Sequence, residues 1–276
     1  MSVVKYSNLL GSLTPWYGIC VGIGLLAIGM WMLFLFKRLR LPGDRQNEIL
    51  CGFPFMLATG VLFAFLLDAL FTGNWRTWAS PDGRRFGFTF TGWLLGAVLF
   101  IAAYAGHTSF TRRFLFDMLL PSFALAQGIG RIGCFLGGCC YGRPCGWGVH
   151  YPPGSMPYEQ MGGVALMPVQ LIEAALLFVL FCICARRPFE GRGSVYLVGV
   201  GAIRFSLEFL RADNRGSFLG LTVISPQQAM SIIFVAIGIS LLVPSWKRNG
   251  HGEASGIRMD EPGCEGSNKK GTRDEM

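Results

Sequence analysis

Charged residues are scarce in this sequence. Asp, Glu, Lys and Arg make up 14% of its 276 residues, whereas hydrophobic residues make up 52%. In soluble globular domains about a quarter of the residues are charged, so this composition excludes a domain with an ordinary solvated surface. The scarcity of charge therefore predicts a protein that lies largely in a lipid bilayer.

The chain contains long apolar runs instead. About 18 to 25 apolar residues can span a bilayer as a helix, and seven runs qualify: 9–36, 49–71, 86–104, 114–133, 168–185, 194–210 and 226–243. They predict an all-α polytopic membrane protein with seven transmembrane helices. The first run is too long, and its flank too basic, for a cleaved signal peptide, so we expect a retained helix that no soluble domain precedes.

The composition changes after Pro244. The last residues are rich in Gly, Ser and charges of both signs, without apolar periodicity. Such segments bury too little apolar surface to fold. We therefore expect a transmembrane domain over residues 1–245 and a disordered tail over residues 246–276.

Positive charge in the loops predicts the orientation of the bundle. The first loop, KRLRLPGDR, is strongly basic, and Lys and Arg are retained on the cytoplasmic side. The amino terminus is then outside and the carboxyl terminus cytoplasmic, although one loop with Arg76, Arg84 and Arg85 would lie outside. The net charge of +8 fits this topology and contact with anionic headgroups, so we expect the lipid bilayer, and no nucleic acid, as partner.

The stretch GRIGCFLGGCCYGRPC, residues 130–145, closes the fourth apolar run with an arginine near its start, four cysteines and five glycines. A charge at the centre of a bilayer costs ~2.5 to 3.5 kcal/mol, which makes Arg131 a candidate functional residue. The glycines favour a helix that breaks around Arg131, with its exposed backbone facing protein or water.

Other polar residues are expected at the depth of Arg131. In the sixth run, Arg204, Glu208 and Arg211 stand at i, i+4 and i+7 and so share one helix face. We expect these residues to line one cavity that faces the outer leaflet. The other runs contribute polar residues at the same end: Tyr17, Thr91, Gln170, Glu173, Gln227 and Gln228.

The arginines outnumber their evident partners. Glu208 can neutralise one arginine of the sixth run, and Arg131 has no carboxylate at i±3 or i±4. An ion-paired clip between helices is one interpretation. The other is a phospholipid phosphate site, because the planar guanidinium binds phosphate bidentately and keeps its proton.

The start of the last helix has a local signature. In ISPQQ, Ser225 is a candidate N-cap, Pro226 opens the helix, and Gln228 completes a capping box. We expect a mainly structural role for these three residues.

Four cysteines, Cys134, Cys139, Cys140 and Cys145, form a C-x4-C-C-x4-C pattern on or near the outer side, where disulfides persist. The pattern is compatible with a redox pair or metal site, with a structural disulfide, or with packing of small residues. It fits no common zinc spacing, so we expect no metal and no cofactor.

Three motifs together resemble the prolipoprotein diacylglyceryl transferase family: GRIGCFLGGCCYGR, WYG at residues 16–18, and RFSLEFLR at residues 204–211. They occur in the order typical of that family, on a matching seven-helix pattern, over about residues 16–243. The family signature G-R-x-G-N-F-x-N-x-E-x-x-G is kept at Gly130, Arg131, Gly133, Phe135 and Gly142.

The resemblance implies transfer of a diacylglyceryl group from phosphatidylglycerol to the lipobox cysteine of a prolipoprotein, in the bacterial inner membrane. Glycerol phosphate would leave, and the cysteine would become a thioether. Arg131 and Arg204 would hold the phosphate, Glu208 would orient Arg204, and Tyr17 would complete the catalytic group. The substrate-binding residues would be Cys134, Gly142, Gln170, Glu173 and Arg211.

Departures from the family pattern concern proton transfer. Thr91 stands where the family has a histidine, Cys134 replaces the signature asparagine, and Cys139 replaces the signature glutamate. Since threonine is no base at neutral pH, His150 and Glu173 become candidate bases. Two alternatives remain open: a relative that modifies another thiol or lipid acceptor, and a membrane thiol-redox protein that uses the adjacent cysteines of the motif.

Overall fold

Helices make up most of the structure, a computed structural model that describes residues 15–72, 89–212 and 225–248. A short 3-10 turn, Ala105–His107, extends α3. The elements in chain order are α1 (Pro15–Arg38), α2 (Gly43–Thr72), α3 (Phe90–Tyr104), α4 (Arg112–Leu136), β1 (Pro144–Val149), α5 (Met156–Met161), α6 (Val169–Arg186), α7 (Arg192–Glu208) and α8 (Pro226–Arg248).

The long helices fall on the seven predicted apolar runs, which confirms the all-helical class. Five of them, α1, α2, α3 with its 3-10 turn, α4 and α6, are long and apolar enough to cross a membrane. The apolar part of α8 is shorter, and α7 has 17 residues. The protein is therefore a polytopic membrane protein, while the count of seven spans stays a prediction.

Several predicted features lie outside the described residues. They include the first residues of the first apolar run, the basic loop with Arg76, Arg84 and Arg85, and most of the carboxyl-terminal tail. The boundary predicted at residue 245 falls inside α8, because this helix continues to Arg248.

Helix α4 lies at the centre of the bundle, where it packs against α1, α6 and α7. The predicted break around Arg131 is wrong, because α4 continues to Leu136 and the chain turns at Gly137. The glycines serve close packing instead. A Cβ at Gly133 would lie 2.8 Å from the Cys20 Cβ on α1, and one at Gly128 would lie 2.7 Å from the Phe178 ring on α6.

The opposite end of α4 anchors the turn between α6 and α7. The buried Asp117 carboxylate accepts hydrogen bonds from the backbone N–H groups of Gly191 at 2.9 Å and Gly193 at 2.8 Å. Gly191 has a φ of 84°, a conformation that favours glycine. These bonds satisfy backbone donors at the start of α7 and fix its position relative to α4.

The capping box at the start of α8 is confirmed. The Gln228 backbone N–H donates to Ser225 Oγ at 3.2 Å, and the Ser225 backbone N–H donates to Gln228 Oε1 at 3.0 Å. Ser225 Oγ also donates to Glu208 Oε1 at 3.0 Å. Ser225 therefore caps α8 and joins it to the end of α7.

Ser225→Ala should destabilise the protein. Loss of an N-cap costs about 0.5 to 2 kcal/mol, and the variant also removes the hydroxyl that donates to Glu208. Thermal unfolding of the detergent-purified protein measures the effect. Ser240→Ala is the matched control, because the exposed Ser240 hydroxyl donates to the Ile237 carbonyl within its own helix. Equal unfolding temperatures for the two variants would contradict the prediction.

Candidate functional site

A carboxylate and two guanidinium groups meet where α4, α6 and α7 come together. Glu173 on α6 is completely buried, with a relative exposure of 0%. Nη1 of Arg204, on α7, donates to both Glu173 oxygens at 3.0 and 3.1 Å. Nε of Arg131, on α4, lies 3.0 Å from Glu173 Oε2. One carboxylate thus joins three helices through two arginines.

Arg211 approaches the same carboxylate from the segment that follows α7. It is buried and interacts electrostatically with Glu173 and with Cys140. Its backbone forms an antiparallel bridge with that of Gly142. A Cβ at Gly142 would lie 2.9 Å from the Leu210 carbonyl oxygen, so glycine permits this close approach. Two of the three arginines singled out in the sequence thus pair with Glu173, and the third interacts with it electrostatically.

The charge pairs join residues of different helices. Arg131, which has no carboxylate at i±3 or i±4, pairs with Glu173 on another helix. Glu208 was expected to orient Arg204, but within the described residues the carboxylate that pairs with Arg204 is Glu173. Glu208 instead accepts from Ser225, at the junction of α7 and α8. Spacing along one helix could not identify partners on a different helix.

Sequence reasoning missed Gln127, which also contacts the central carboxylate. Its Nε2 donates to Glu173 Oε1 at 3.4 Å, and its side chain is buried. Gln127 precedes Arg131 by four residues on α4, so both side chains share one helix face. The sequence did contain a signal for Gln127, namely a polar residue one helical turn before a candidate site arginine.

Three thiols cluster beside the arginines. The sulfur atoms of Cys134, Cys139 and Cys140 all lie within 4.8 Å of one another. Cys134 stands in the last turn of α4, and the Gly137 turn brings the other two back toward it. Cys139 Sγ donates to the Cys134 carbonyl oxygen at 3.5 Å. Cys145, the fourth cysteine of the motif, is outside the cluster.

The pKa of the Cys140 thiol lies well below its ordinary value. Hydrogen bonds from Cys134 and Cys139 lower the pKa most, burial opposes the change, and the positive charges of Arg211 and Arg131 lower it further. The pKa of the Cys139 thiol is raised, chiefly by its hydrogen bonds with Cys134 and Cys140. The contacts within the cluster therefore move the pKa values of Cys140 and Cys139 in opposite directions.

Gln170 fixes the turn that carries these thiols. Its Nε2 donates to the Cys139 carbonyl oxygen at 2.7 Å and to Tyr151 Oη at 3.2 Å. The side chain is buried at the start of α6, three residues before Glu173. The thiol cluster and the arginine cluster are thus held by neighbouring residues of one helix.

Tyr17 on α1 completes the group on the far side of α4. Its phenol interacts electrostatically with the three clustered thiols and with Arg131. A Cβ added at Gly133 would lie 3.3 Å from the Tyr17 Cα, so α1 and α4 pack closely here. The structure therefore brings together all the predicted site residues except Glu208.

The residues considered for proton transfer have other partners. Thr91 Oγ1 donates to Gln227 Oε1 at 2.6 Å and so joins α3 to α8. His150 is exposed, and its Nδ1 lies 3.0 Å from the Gly163 carbonyl oxygen. Glu173 is committed to two arginines. In the described part of the chain, no contact joins His150 or Thr91 to the arginine cluster.

Fold and site define an all-helical, polytopic membrane protein whose buried arginines and thiols meet at one end of its central helix. The family model for prolipoprotein diacylglyceryl transferase matches residues 9–244 of the chain. The chain belongs to the prolipoprotein diacylglyceryl transferase family. It is therefore a bacterial membrane enzyme, a diacylglyceryl transferase.

Curated relatives with the name phosphatidylglycerol–prolipoprotein diacylglyceryl transferase cover most of the chain. The protein of Dehalococcoides mccartyi is 30% identical over 247 residues, which are 85% of this chain and 90% of the relative. The protein of Clostridium perfringens named transferase 2 is 32% identical over 249 residues, which are 86% of this chain and 93% of the relative. The protein of Shigella boydii is 27% identical over an alignment of 276 positions, which covers 85% of this chain and 90% of the relative.

Proposed function

We propose that this enzyme transfers a diacylglyceryl group from phosphatidylglycerol to a cysteine thiol of a prolipoprotein, and that Arg131 and Arg204 hold the phosphate that leaves. The observation that carries the proposal is that two buried guanidinium groups from different helices, those of Arg131 and Arg204, meet at the Glu173 carboxylate. A planar guanidinium keeps its proton and binds phosphate bidentately, so two of them fixed side by side form a site suited to a phosphate.

Arg131 is the arginine best suited to receive that anion. Its contact with Glu173 runs through Nε, and none of the hydrogen bonds among the described residues uses its two terminal nitrogens, so these nitrogens would donate to the phosphate. Arg204 donates to both oxygens of Glu173, which fixes the orientation of its guanidinium group toward the same phosphate. Glu173 is then a positioning residue that holds two guanidinium groups in one orientation before the substrate binds.

The reaction forms one bond and breaks one bond. The acceptor sulfur attacks the terminal glyceryl carbon, the carbon–oxygen bond to the phosphate breaks, and glycerol phosphate leaves with the bonding electron pair. The arginines stabilise the negative charge that moves onto the departing phosphate. The acceptor thiol loses its proton on becoming a nucleophile, since the thiolate is the reactive form.

The remaining predicted site residues surround this reaction centre. Tyr17 and Cys134 would contact the substrates from α1 and α4. The Gln170 side chain would hold the turn that carries Cys139. Gly142 would hold the segment that carries Arg211 through their backbone bridge. Glu208, which contacts Ser225, would support the end of α7 rather than the chemistry.

The orientation in the membrane is part of the proposal. Seven spanning helices would place the amino terminus outside the bacterial inner membrane and the carboxyl terminus in the cytoplasm. A transmembrane transferase domain would cover residues 1–245, and the tail over residues 246–276 would be cytoplasmic. The arginine cluster would then face the outer leaflet, where exported substrates arrive.

Reporter fusions should give a cytoplasmic signal at the carboxyl terminus and an external signal in the segment between β1 and α5. Paired reporters, one active only in the cytoplasm and one active only outside, control for expression of each fusion. An external carboxyl terminus would place the arginines at the inner leaflet and would contradict the use of exported substrates.

A gel-shift assay tests the activity directly. Purified full-length protein, phosphatidylglycerol vesicles and a lipobox peptide should yield a peptide of lower mobility. The same peptide with Ser in place of its cysteine is the control, and it should not shift. Failure of the cysteine peptide to shift, together with failure to complement a strain depleted of its own transferase, would show that the acceptor or lipid is a different one.

A further inference from the structure

The thiol cluster has the geometry of a metal site. A metal–sulfur bond of ~2.3 Å places the sulfurs of a tetrahedral zinc site about 3.8 Å apart, close to the 4.8 Å within which all three sulfurs lie. Small rotations of the side chains would close the difference. Packing of small apolar residues does not require three sulfur atoms to converge on one point.

The backbone holds this convergence under strain. Cys140 has a φ of 61°, a conformation that L residues other than glycine seldom adopt. Strained residues of this kind persist where the surrounding structure fixes them, and they cluster at functional sites. Here Gln170 fixes the preceding carbonyl group, that of Cys139.

The surrounding charges suit thiolates. Three thiolates and one divalent ion carry a net charge of −1, and a fourth thiolate would make it −2 by formal count. Arg131 interacts electrostatically with all three cysteines, and Arg211 interacts with Cys140. Buried anionic groups require such compensation.

We propose that Cys134, Cys139 and Cys140 bind one Zn²⁺ ion and leave its fourth position for the acceptor cysteine. A structural zinc site is closed by four protein ligands, whereas a catalytic one keeps a position open. Among the described residues Cys145 does not join the cluster, so three thiols converge and the fourth position of a tetrahedral ion would stay open. This replaces the expectation, drawn from spacing alone, that the protein needs no metal.

The role of the ion rests on the proposed function and addresses the missing base. The two candidate bases, His150 and Glu173, have other partners, so neither is placed to deprotonate the acceptor. When the acceptor thiol binds the metal, its proton passes to solvent and its sulfur becomes a bound thiolate. That sulfur then forms the bond to the glyceryl carbon while the phosphate leaves. The ion keeps its oxidation state throughout.

Metal content tests the site without turnover. Full-length protein, purified in detergent through a tag without histidines, should contain about one zinc per chain. Cys139→Ser and Cys140→Ser should lose it, because a lost ligand weakens binding by more than the ~10 to 100-fold cost of losing an outer contact. Cys145→Ser is the matched control and should retain the ion. Thermal unfolding of each variant identifies any loss that merely reflects misfolding.

Cobalt makes the open position visible. Wild-type protein stripped of zinc and loaded with Co²⁺ should show sulfur-to-metal charge-transfer absorption. A lipobox peptide with cysteine should increase this absorption, whereas the serine peptide should not. Absence of zinc and of cobalt absorption, or a disulfide among the three cysteines in the purified protein, would overturn the site and would leave the transferase proposal intact.

Activity separates the two proposals. Removal of zinc from wild-type protein should lower peptide transfer at least tenfold, and added Zn²⁺ should restore it. Unchanged transfer by the stripped enzyme would overturn the role in activation. If zinc binds as expected but no form of the protein shifts the peptide, the metal site is supported and the proposed transferase reaction is wrong.

Discussion

Glu173→Gln should destabilise the protein more than any other substitution considered for this site. The variant keeps the shape of the side chain but removes the negative charge that pairs with both Arg131 and Arg204. Breaking a buried ion pair by removing one partner costs about 3 to 5 kcal/mol, because the remaining charge stays buried without compensation. Thermal unfolding in detergent should show the loss, and transfer activity should fall with it.

Glu159→Gln provides the matched control for that measurement. Glu159 is an exposed carboxylate on the short helix α5, so the same change of charge should leave stability within about 0.5 kcal/mol of wild type. A Glu173→Gln variant as stable as this control would mean that the central ion pairs contribute nothing net. The role of Glu173 in holding the arginines would then have to be abandoned.

Arg131→Lys should lower turnover while leaving the protein folded. Lysine keeps the charge near Glu173 but lacks the planar fork that binds phosphate through two nitrogens. Loss of one charge-assisted hydrogen bond costs ~1.5 to 3 kcal/mol, which is roughly 10 to 150-fold in rate when the bond forms only in the transition state. The gel-shift assay, run as a time course, measures the rate.

Arg186→Lys is the control for Arg131→Lys, since Arg186 is exposed in the last turn of α6. It should transfer at the wild-type rate. Arg204→Lys should mix the two effects, because Arg204 donates to both oxygens of Glu173. If Arg131→Lys transfers normally, or loses activity only because it unfolds, then Arg131 is a structural clip and the phosphate role is wrong.

Features that depend on neighbouring residues could be predicted from the sequence. The apolar runs located the long helices because burial in lipid requires uninterrupted apolar residues. The Ser225 capping box was equally local, since its two hydrogen bonds join residues three positions apart. The cost of intramembrane charge also identified Arg131 and Arg204 as site residues before any contact was known.

Features that depend on tertiary contacts could not be predicted from the sequence. The partner of Arg131 is on α6, and no rule of spacing within α4 points to it. The thiol cluster depends on the chain direction after Leu136 and on the unusual φ of Cys140. Glycines in a membrane helix indicate either a break or a close neighbour, and only the structure shows that α1 and α6 occupy the space.

The central helix α4 also imposes an order on the assembly of this protein. Its mean hydropathy of 1.3 is the lowest of the five candidate spans. The buried Asp117 carboxylate on this helix accepts hydrogen bonds from the backbone N–H groups of Gly191 and Gly193, which stand 74 and 76 residues further along the chain. Synthesis runs from the amino terminus, so α4 leaves the ribosome before Gly191 and Gly193 are made. The Asp117 carboxylate therefore gains these two donors only after α6 and the start of α7 have been synthesised, which couples the placement of α4 to helices made later.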